Sequence, residues 1–300
     1  MTRTLITGAA GFTGRYLTKL LAARGHEVHG LVYQPPALPV AELTKVHVGD
    51  LVDPSVSAQV VAAVRPDHVV HLAAISHVAH GDIDEMYRSN IVGTRHLLQA
   101  LAHSDHLPQS VLLASSANVY GNALIEVIDE QSPMLPANDY GVTKVAMEFV
   151  ASIFRPSLPI IVVRPFNYTG VGQSADFLIP KIISHARNAK AEIELGNLEV
   201  ARDFSDVRTV VEAYARLLAD PTAIGETFNV SSGQAVSLKS LIDMVARISG
   251  HSMKVRVNPA FLRANELRTL CGSPVKLHKS IGPLPHIPLE ETLRWMLTAL

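Results

Sequence analysis

Tyr140 and Lys144 stand four residues apart in Tyr140-Gly141-Val142-Thr143-Lys144, a spacing that puts both side chains on one face of a helix. A free tyrosine is too weak an acid to exchange protons readily near neutral pH. A neighbouring ammonium favours the phenolate and is expected to lower the Tyr140 pKa, which would suit the phenol to acid–base work. Ser116, in Ser115-Ser116-Ala117-Asn118-Val119-Tyr120-Gly121, follows an apolar run and can hydrogen-bond the same oxygen that Tyr140 protonates. Three such groups around one oxygen suit hydride transfer at a carbonyl or an alcohol. A cofactor supplies the hydride, and the protein supplies position and a proton.

That chemistry needs a dinucleotide, and the start of the chain offers a place for one. An apolar run, Thr4–Thr7, leads into Gly8, and a helical pattern begins near Phe12 and Thr13. Gly8, Gly11 and Gly14 thus fall on a strand–turn–helix. The first permits a tight turn, the second a close approach to pyrophosphate, and the third close packing of helix on strand, with the positive helix end on the phosphates. The second strand, Glu27–Val32, runs into Tyr33-Gln34, with neither the carboxylate that binds a ribose 2′-hydroxyl nor an arginine in its place. Nothing there repels a 2′-phosphate, so NADP(H) is expected in preference to NAD(H), which stays possible. Tyr33 packs on the adenosine or is a solvated loop residue. Asp50, followed by Leu51, could accept from the adenine amino group or cap the helix after Pro54. Leu72, Ala73 and Ala74, at the end of a strand Asp67–Leu72, leave room for the cofactor to cross the strand ends.

The elements that position these groups alternate. Strands at 45–48, 109–114 and 159–163 are interleaved with helical patterns at 84–103 and 140–154, which argues for an α/β fold with a doubly wound parallel sheet. Asn90 interrupts the apolar face of the first of these helices, where it bonds backbone near the site or is solvated. After residue 163 the pattern changes. Helices at 177–188, 207–218, 237–248 and from 289, with strands at 226–230 and 254–257, build a smaller lobe and return in part to the main sheet.

The composition narrows the function. The 300 residues are 48% hydrophobic and 18% charged, as in a folded soluble chain, and the net charge of −1 gives no basic field for nucleic acid or an anionic membrane. The single cysteine, Cys271, excludes an internal disulfide and is expected as a small buried residue. His71, His77 and His80 follow no zinc spacing, and no metal is expected. Ser76 and His77, just past a strand end, could touch substrate. No signal-peptide pattern precedes the first strand and no apolar run is long enough to span a bilayer, which makes a cytoplasmic location the expectation.

Taken together, TGAAGFTG, HLAA, SSANVYG, YGVTK and RPFN make the chain resemble the extended short-chain dehydrogenases/reductases of the nucleotide-sugar branch along nearly its whole length. The resemblance implies a Rossmann-type doubly wound sheet holding NAD(P) (1–166 with 206–232). It also implies a smaller C-terminal α/β domain for a nucleotide sugar (167–205 with 233–300), and a homodimer formed through the helices near 84–103 and 140–154. Sugar 4,6-dehydratases of this branch carry an acid pair after the serine; here Ala117-Asn118 stands there, which disfavours dehydration.

LGNLEVARDFSDVRTVVEAY, RPFNYTGVGQ, NVSSGQ, LRANELRTLCGS and IPLEETL resemble the GDP-4-keto-6-deoxy-D-mannose reductases in particular. By that resemblance Asn167, Lys181, Asn197, Arg202, Arg263 and Glu266 are substrate-side candidates. Arg202 and Arg263 have the fork geometry to clamp a diphosphate, and Glu266 could accept from ribose hydroxyls; the alternative for each arginine is a surface ion pair, Arg202 with Asp203 or Asp206 and Arg263 with Glu266. The expected reaction is NADPH-dependent reduction of the 4-keto group of a GDP-4-keto-6-deoxyhexose to GDP-D-rhamnose or its talose isomer. The alternatives are an NAD-dependent nucleotide-sugar 4-epimerase and a non-catalytic dinucleotide sensor.

Overall fold

The computed structural model describes residues 1–76, 81–121, 126–259 and 269–299. It opens with the expected strand–turn–helix, β1 (Arg3–Thr7) and α1 (Phe12–Ala23), followed by β2 (Glu27–Val32), β3 (Lys45–Val48), α2 (Pro54–Val64) and β4 (His68–His71). Pro54 starts α2, where its missing N–H costs nothing. The cap is Asp53, whose carboxylate accepts from Ser55 N, and not Asp50, which accepts from Val52 N.

The single helix expected over 84–103 is built in three pieces: α3 (Ile83–Tyr87), a wider π-helical turn over Arg88–Gly93, and α4 (Thr94–Ala102). Such turns re-aim side chains within a helix. This one directs Asn90 inward, where its Oδ1 accepts from Ile75 N and its Nδ2 donates to Ile75 O and Thr143 Oγ1. Of the two sequence alternatives for Asn90, the structure selects the backbone bond.

β5 (Ser110–Ala114), α5 (Asp139–Phe154) and β6 (Ile160–Pro165) complete the first half. The seven strands β10-β6-β5-β4-β1-β2-β3 form one parallel sheet, β10 being the later segment Thr227–Val230. The order reverses between β1 and β4, and sheets of this kind bind ligands beyond the strand ends at such a point. Neighbouring strand residues face opposite layers: Ile6 packs with α1 and with α7 (Val207–Leu218), and Leu5 with α2, α4 and α5. β4, β5 and β6 are covered on both faces, which is why they read as continuous apolar runs.

Other parts of the second half of the chain form a separate apolar core. α6 (Leu178–Arg187), α8 (Leu238–Ser249) and α10 (Leu289–Thr298) bury Ile182, Leu241, Val245 and Leu293 against β8 (Glu192–Leu195), which pairs with β12 (Lys254–Val257). A small sheet unites β7 (Asn167–Thr169), β9 (Ala201–Asp206), β11 (Ala235–Ser237) and β13 (Thr269–Leu270), and α9 (Val275–Ile281) packs under β10.

An aromatic ladder joins the first helix to the last. Phe12 meets Tyr16 edge-on at 5.5 Å between centroids, and Tyr16 meets Trp295 at 6.1 Å. The Arg208 guanidinium lies 4.3 Å from the Trp295 ring centre. No helix among the described residues is long and apolar enough to cross a membrane.

Candidate active site

Ser116 lies just beyond the C-terminal end of β5, and Tyr140 and Lys144 lie in the first two turns of α5. Asn138 caps that helix by accepting from Gly141 N at 2.8 Å, which fixes where its first turn begins. The structure brings the three residues together. Lys144 Nζ donates to Ala114 O at 2.9 Å and lies 5.7 Å from the Tyr140 ring centre, and the Ser116 hydroxyl is near enough to the Tyr140 phenol to favour its ionised form. All three are at least nine-tenths buried.

Asn118 determines the role of Ser116. Its backbone N–H and its Nδ2 both donate to Ser116 Oγ, at 3.1 and 3.0 Å, while its Oδ1 accepts from Asn138 Nδ2. With both lone pairs occupied, the Ser116 hydroxyl can only donate. It is therefore aimed as a donor toward the phenol and toward any carbonyl oxygen placed beside it.

The electrostatics differ from the sequence expectation in one respect. Burial pushes the Tyr140 phenol up from its ordinary range, the Tyr168 phenol adds to the rise, and the Ser116 hydrogen bond opposes it. The lowered pKa expected from Lys144 is not a property of the protein by itself, where desolvation is the largest influence on the phenol. A phenol held neutral is a proton donor, which suits reduction. Burial also brings Lys144 down to about 8, against the pull of Glu148 one turn later.

Glu148 anchors a buried network. It accepts from Ser115 Oγ and takes a two-pronged contact from Arg164, Nε at 2.9 Å and Nη2 at 2.6 Å. Arg164 Nη1 donates to Tyr120 Oη, which donates to Asn229 Oδ1. One ion pair thus ties β5, α5, β6 and β10 together beneath the catalytic candidates.

His71, at the end of β4, is fully buried and satisfied at both ring nitrogens. Thr94 Oγ1 gives its proton to Asn90 O, so it accepts from Nε2, and Thr7 Oγ1 donates to Nδ1. Burial, with Lys144 adding to it, lowers its pKa to about 3. The folded value lies below the unfolded one, so the folded state binds fewer protons between these values. Stability is full above the unfolded pKa and falls as pH drops, by up to about 1.4 kcal/mol per pH unit. Urea midpoints of wild type and His71→Gln at about pH 7.5 and about pH 5.5 test this. The variant is expected to lose less stability on acidification, and an unchanged pH slope would overturn the assignment.

The glycine turn fits a dinucleotide. Gly8 has φ +70, and a Cβ there would come within 2.9 Å of Ala73 N; at Gly14 it would strike Gly8 O and Ala9 Cα. The N-cap of α1 is Gly11, with no capping side chain, so the first-turn N–H groups are available to phosphate oxygens. Phe12 and Thr13 turn their side chains away from that position: the Phe12 ring stacks on Tyr168, and Thr13 Oγ1 hydrogen-bonds Tyr168 Oη at 2.8 Å. Leu72 and Ala73 stand over the turn, and Ala73 N donates to Thr7 Oγ1. Ala74 follows at that strand end, half-buried. Leu51 buries its side chain in the core, while Asp50 and Tyr33 are exposed. Tyr33 lines a cavity of about 380 Å³ together with Gly8, Gly11, Gln34 and Arg15.

On the substrate side, Ser76 is exposed beyond β4, and Asn167 opens β7 beyond β6, where its Nδ2 donates to Asp203 O. Both stand at the strand ends that carry Ser116. Lys181 donates to Glu194 O, Asn197 accepts from Glu199 N, and Arg202 on β9 donates to Ala201 O. The acids first considered as ion-pair partners of Arg202 take other partners: Asp206 binds Arg208, and Asp203 accepts from Ser232, Gly233 and Gly272. His77, Arg263 and Glu266 lie outside the described residues. Cys271 is buried, as expected, but beside Asp203, which with burial pushes its thiol up to about 11.

Sequence reasoning missed Arg15, Tyr168, Glu148 and Asp203. Arg15 adjoins one quoted motif and Tyr168 and Asp203 lie within others, but only the fold shows which way their side chains turn.

A parallel sheet of this order, a glycine turn at its switch point and a buried Ser–Tyr–Lys group define an NAD(P)-dependent short-chain dehydrogenase/reductase of the extended, nucleotide-sugar class. Within it the chain belongs to the GDP-mannose 4,6 dehydratase family, whose profile matches residues 5–296. It is 32% identical over 93% of its length to a GDP-6-deoxy-D-talose 4-dehydrogenase of Aggregatibacter actinomycetemcomitans, covering 90% of that protein. It is 33% identical over 99% of its length to a GDP-6-deoxy-D-mannose reductase of Pseudomonas aeruginosa, covering 96%. The crystal structure of a Burkholderia cenocepacia J2315 protein, provisionally assigned as an epimerase, superposes with a TM-score of 0.93 at 47% identity, covering 99% of this chain and 97% of that one.

Proposed function

We propose that the protein is an NADPH-dependent reductase of the 4-keto group of a GDP-4-keto-6-deoxyhexose, giving GDP-D-rhamnose or its talose isomer. The observation that carries this reading is Asn118. Dehydratases of the family need an acid beside the catalytic serine; here a neutral amide stands there and holds Ser116 as a donor. The site retains what ketone reduction requires and lacks what elimination of water requires. A bound nicotinamide dinucleotide supplies the hydride. Tyr140, kept neutral by burial, gives the proton to the developing alkoxide, Ser116 donates to the same oxygen, and Lys144 places its charge beside the phenol.

The two relatives acting at a GDP-6-deoxyhexose support the base and the ring position. Asn167 and Arg202 frame the sugar side, with Lys181, Asn197, Arg263 and Glu266 as further contacts. The two-lobed division, residues 1–166 with 206–232 and 167–205 with 233–300, belongs to the same reading. So do a cytoplasmic setting and a homodimer through the helical segment at 84–103 and α5, the latter exposing Val142, Phe149 and Ile153 as apolar contact.

NADPH consumption with GDP-4-keto-6-deoxy-D-mannose, against the dTDP- and UDP-4-keto-6-deoxyglucose compounds, tests the proposal. Turnover with the GDP-sugar alone is expected, and NMR of the product distinguishes rhamnose from talose. The Burkholderia structure keeps an NAD-dependent 4-epimerase as the second reading. That reading gains if none of the three ketones is reduced and tightly held NAD survives purification.

A further inference from the structure

The loop after β2 lacks the residue that ordinarily distinguishes NADP(H) from NAD(H): it reads Tyr33-Gln34-Pro35-Pro36, with no charge. The structure supplies a cation from another element. Arg15, in the second turn of α1, donates from Nε to Ala10 O of the glycine turn at 2.9 Å and reaches across to that loop, donating from Nη2 to Leu38 O at 3.1 Å and from Nη1 to Pro39 O at 3.4 Å. The guanidinium thereby bridges the glycine turn and the loop beyond β2, in the wall of the 380 Å³ cavity that also contains Gly8, Gly11, Tyr33 and Gln34. It is the one charged side chain among the described residues of that lining, which contains no carboxylate.

In a fold of this kind the adenosine ribose lies at the end of the second strand, where a carboxylate selects the free 2′-hydroxyl and an arginine selects the 2′-phosphate. We propose that Arg15 is the specificity-determining residue for the cofactor, with its guanidinium binding the 2′-phosphate of NADP(H). Three of its five N–H groups are spent on carbonyls that hold the fork in place, and one on each terminal nitrogen remains for phosphate oxygens. Tyr33, exposed on the same rim, stands where it can pack on the adenine. The charge comes from the helix that carries the glycine turn, so phosphate selection and pyrophosphate binding share one rigid element.

The inference rests on the NADP(H) reading above, and binding measurements separate the two. Dissociation constants of NADPH, NADH, 2′,5′-ADP and 5′-ADP would be measured by calorimetry for wild type, Arg15→Ala and Arg15→Lys. Wild type is expected to favour the 2′-phosphorylated ligand of each pair. Arg15→Ala should weaken those two by about tenfold or more, as for loss of a charged hydrogen-bonding pair, and leave NADH and 5′-ADP within about twofold. Arg15→Lys should fall between, since it keeps the charge and loses the fork. Equal weakening of all four ligands would make Arg15 a strut between turn and loop and overturn the proposal. An undiminished phosphate preference in both variants would overturn it and leave the NADP(H) reading standing. A wild type without that preference would overturn both.

Discussion

Tyr140→Phe is expected to lower turnover by about 10²–10⁴, the contribution of a positioned general acid, with NADPH affinity changed by less than about twofold. The argument is geometric. The ring fills a buried place between α5 and the strand ends, and phenylalanine keeps that volume while removing only the hydroxyl. Because burial holds the phenol neutral, the lost function is proton donation and not binding. Single-turnover oxidation of NADPH at saturating ketone reads the chemical step directly. Turnover near wild type would remove Tyr140 from the catalytic group and return the fold to a sensor role.

Glu148→Gln should destabilise the protein by about 3 kcal/mol, because it leaves the Arg164 guanidinium charged and buried without its counter-ion. Both side chains are more than nine-tenths buried, and the two-pronged contact spans α5 and β6. A second effect follows from Lys144. Burial lowers its pKa to about 8 and Glu148 is the charge that resists the fall, so the variant should lose the ammonium at lower pH. The alkaline limb of the rate profile is then expected to move toward neutral pH, while urea unfolding reports the loss of stability. Destabilisation with an unmoved alkaline limb would make Glu148 a purely structural anchor.

The middle of the parallel sheet was legible in the sequence because β4, β5 and β6 are buried on both faces; β4 and β6 fall within two residues of their expected ends. Ser116, Tyr140 and Lys144 were legible because helical spacing and strand ends are local rules. What stayed hidden depends on chain segments meeting from far apart. β7, β11 and β13 have two or three residues each and exist only because β9 pairs with them. The π-helical turn at Asn90 is set by its bonds to Ile75 and Thr143, not by its own composition. The sign of the Tyr140 shift was missed because spacing reveals a neighbouring lysine but not the depth of burial. Arg15 reads as an ordinary helix residue until the loop beyond β2 folds against it.

The aromatic ladder has a consequence for how the chain is made. Phe12 and Tyr16 leave the ribosome long before Trp295, toward which they pack. β10, an edge of the central sheet, also arrives late. The β1–β6 segment therefore waits for these contacts until the later segments are made, with part of the surface of α1 uncovered. Loop closure over that span makes docking of the C-terminal helix a late event in assembly. A chain stopped just before α10 would leave α1 without its contact to Trp295.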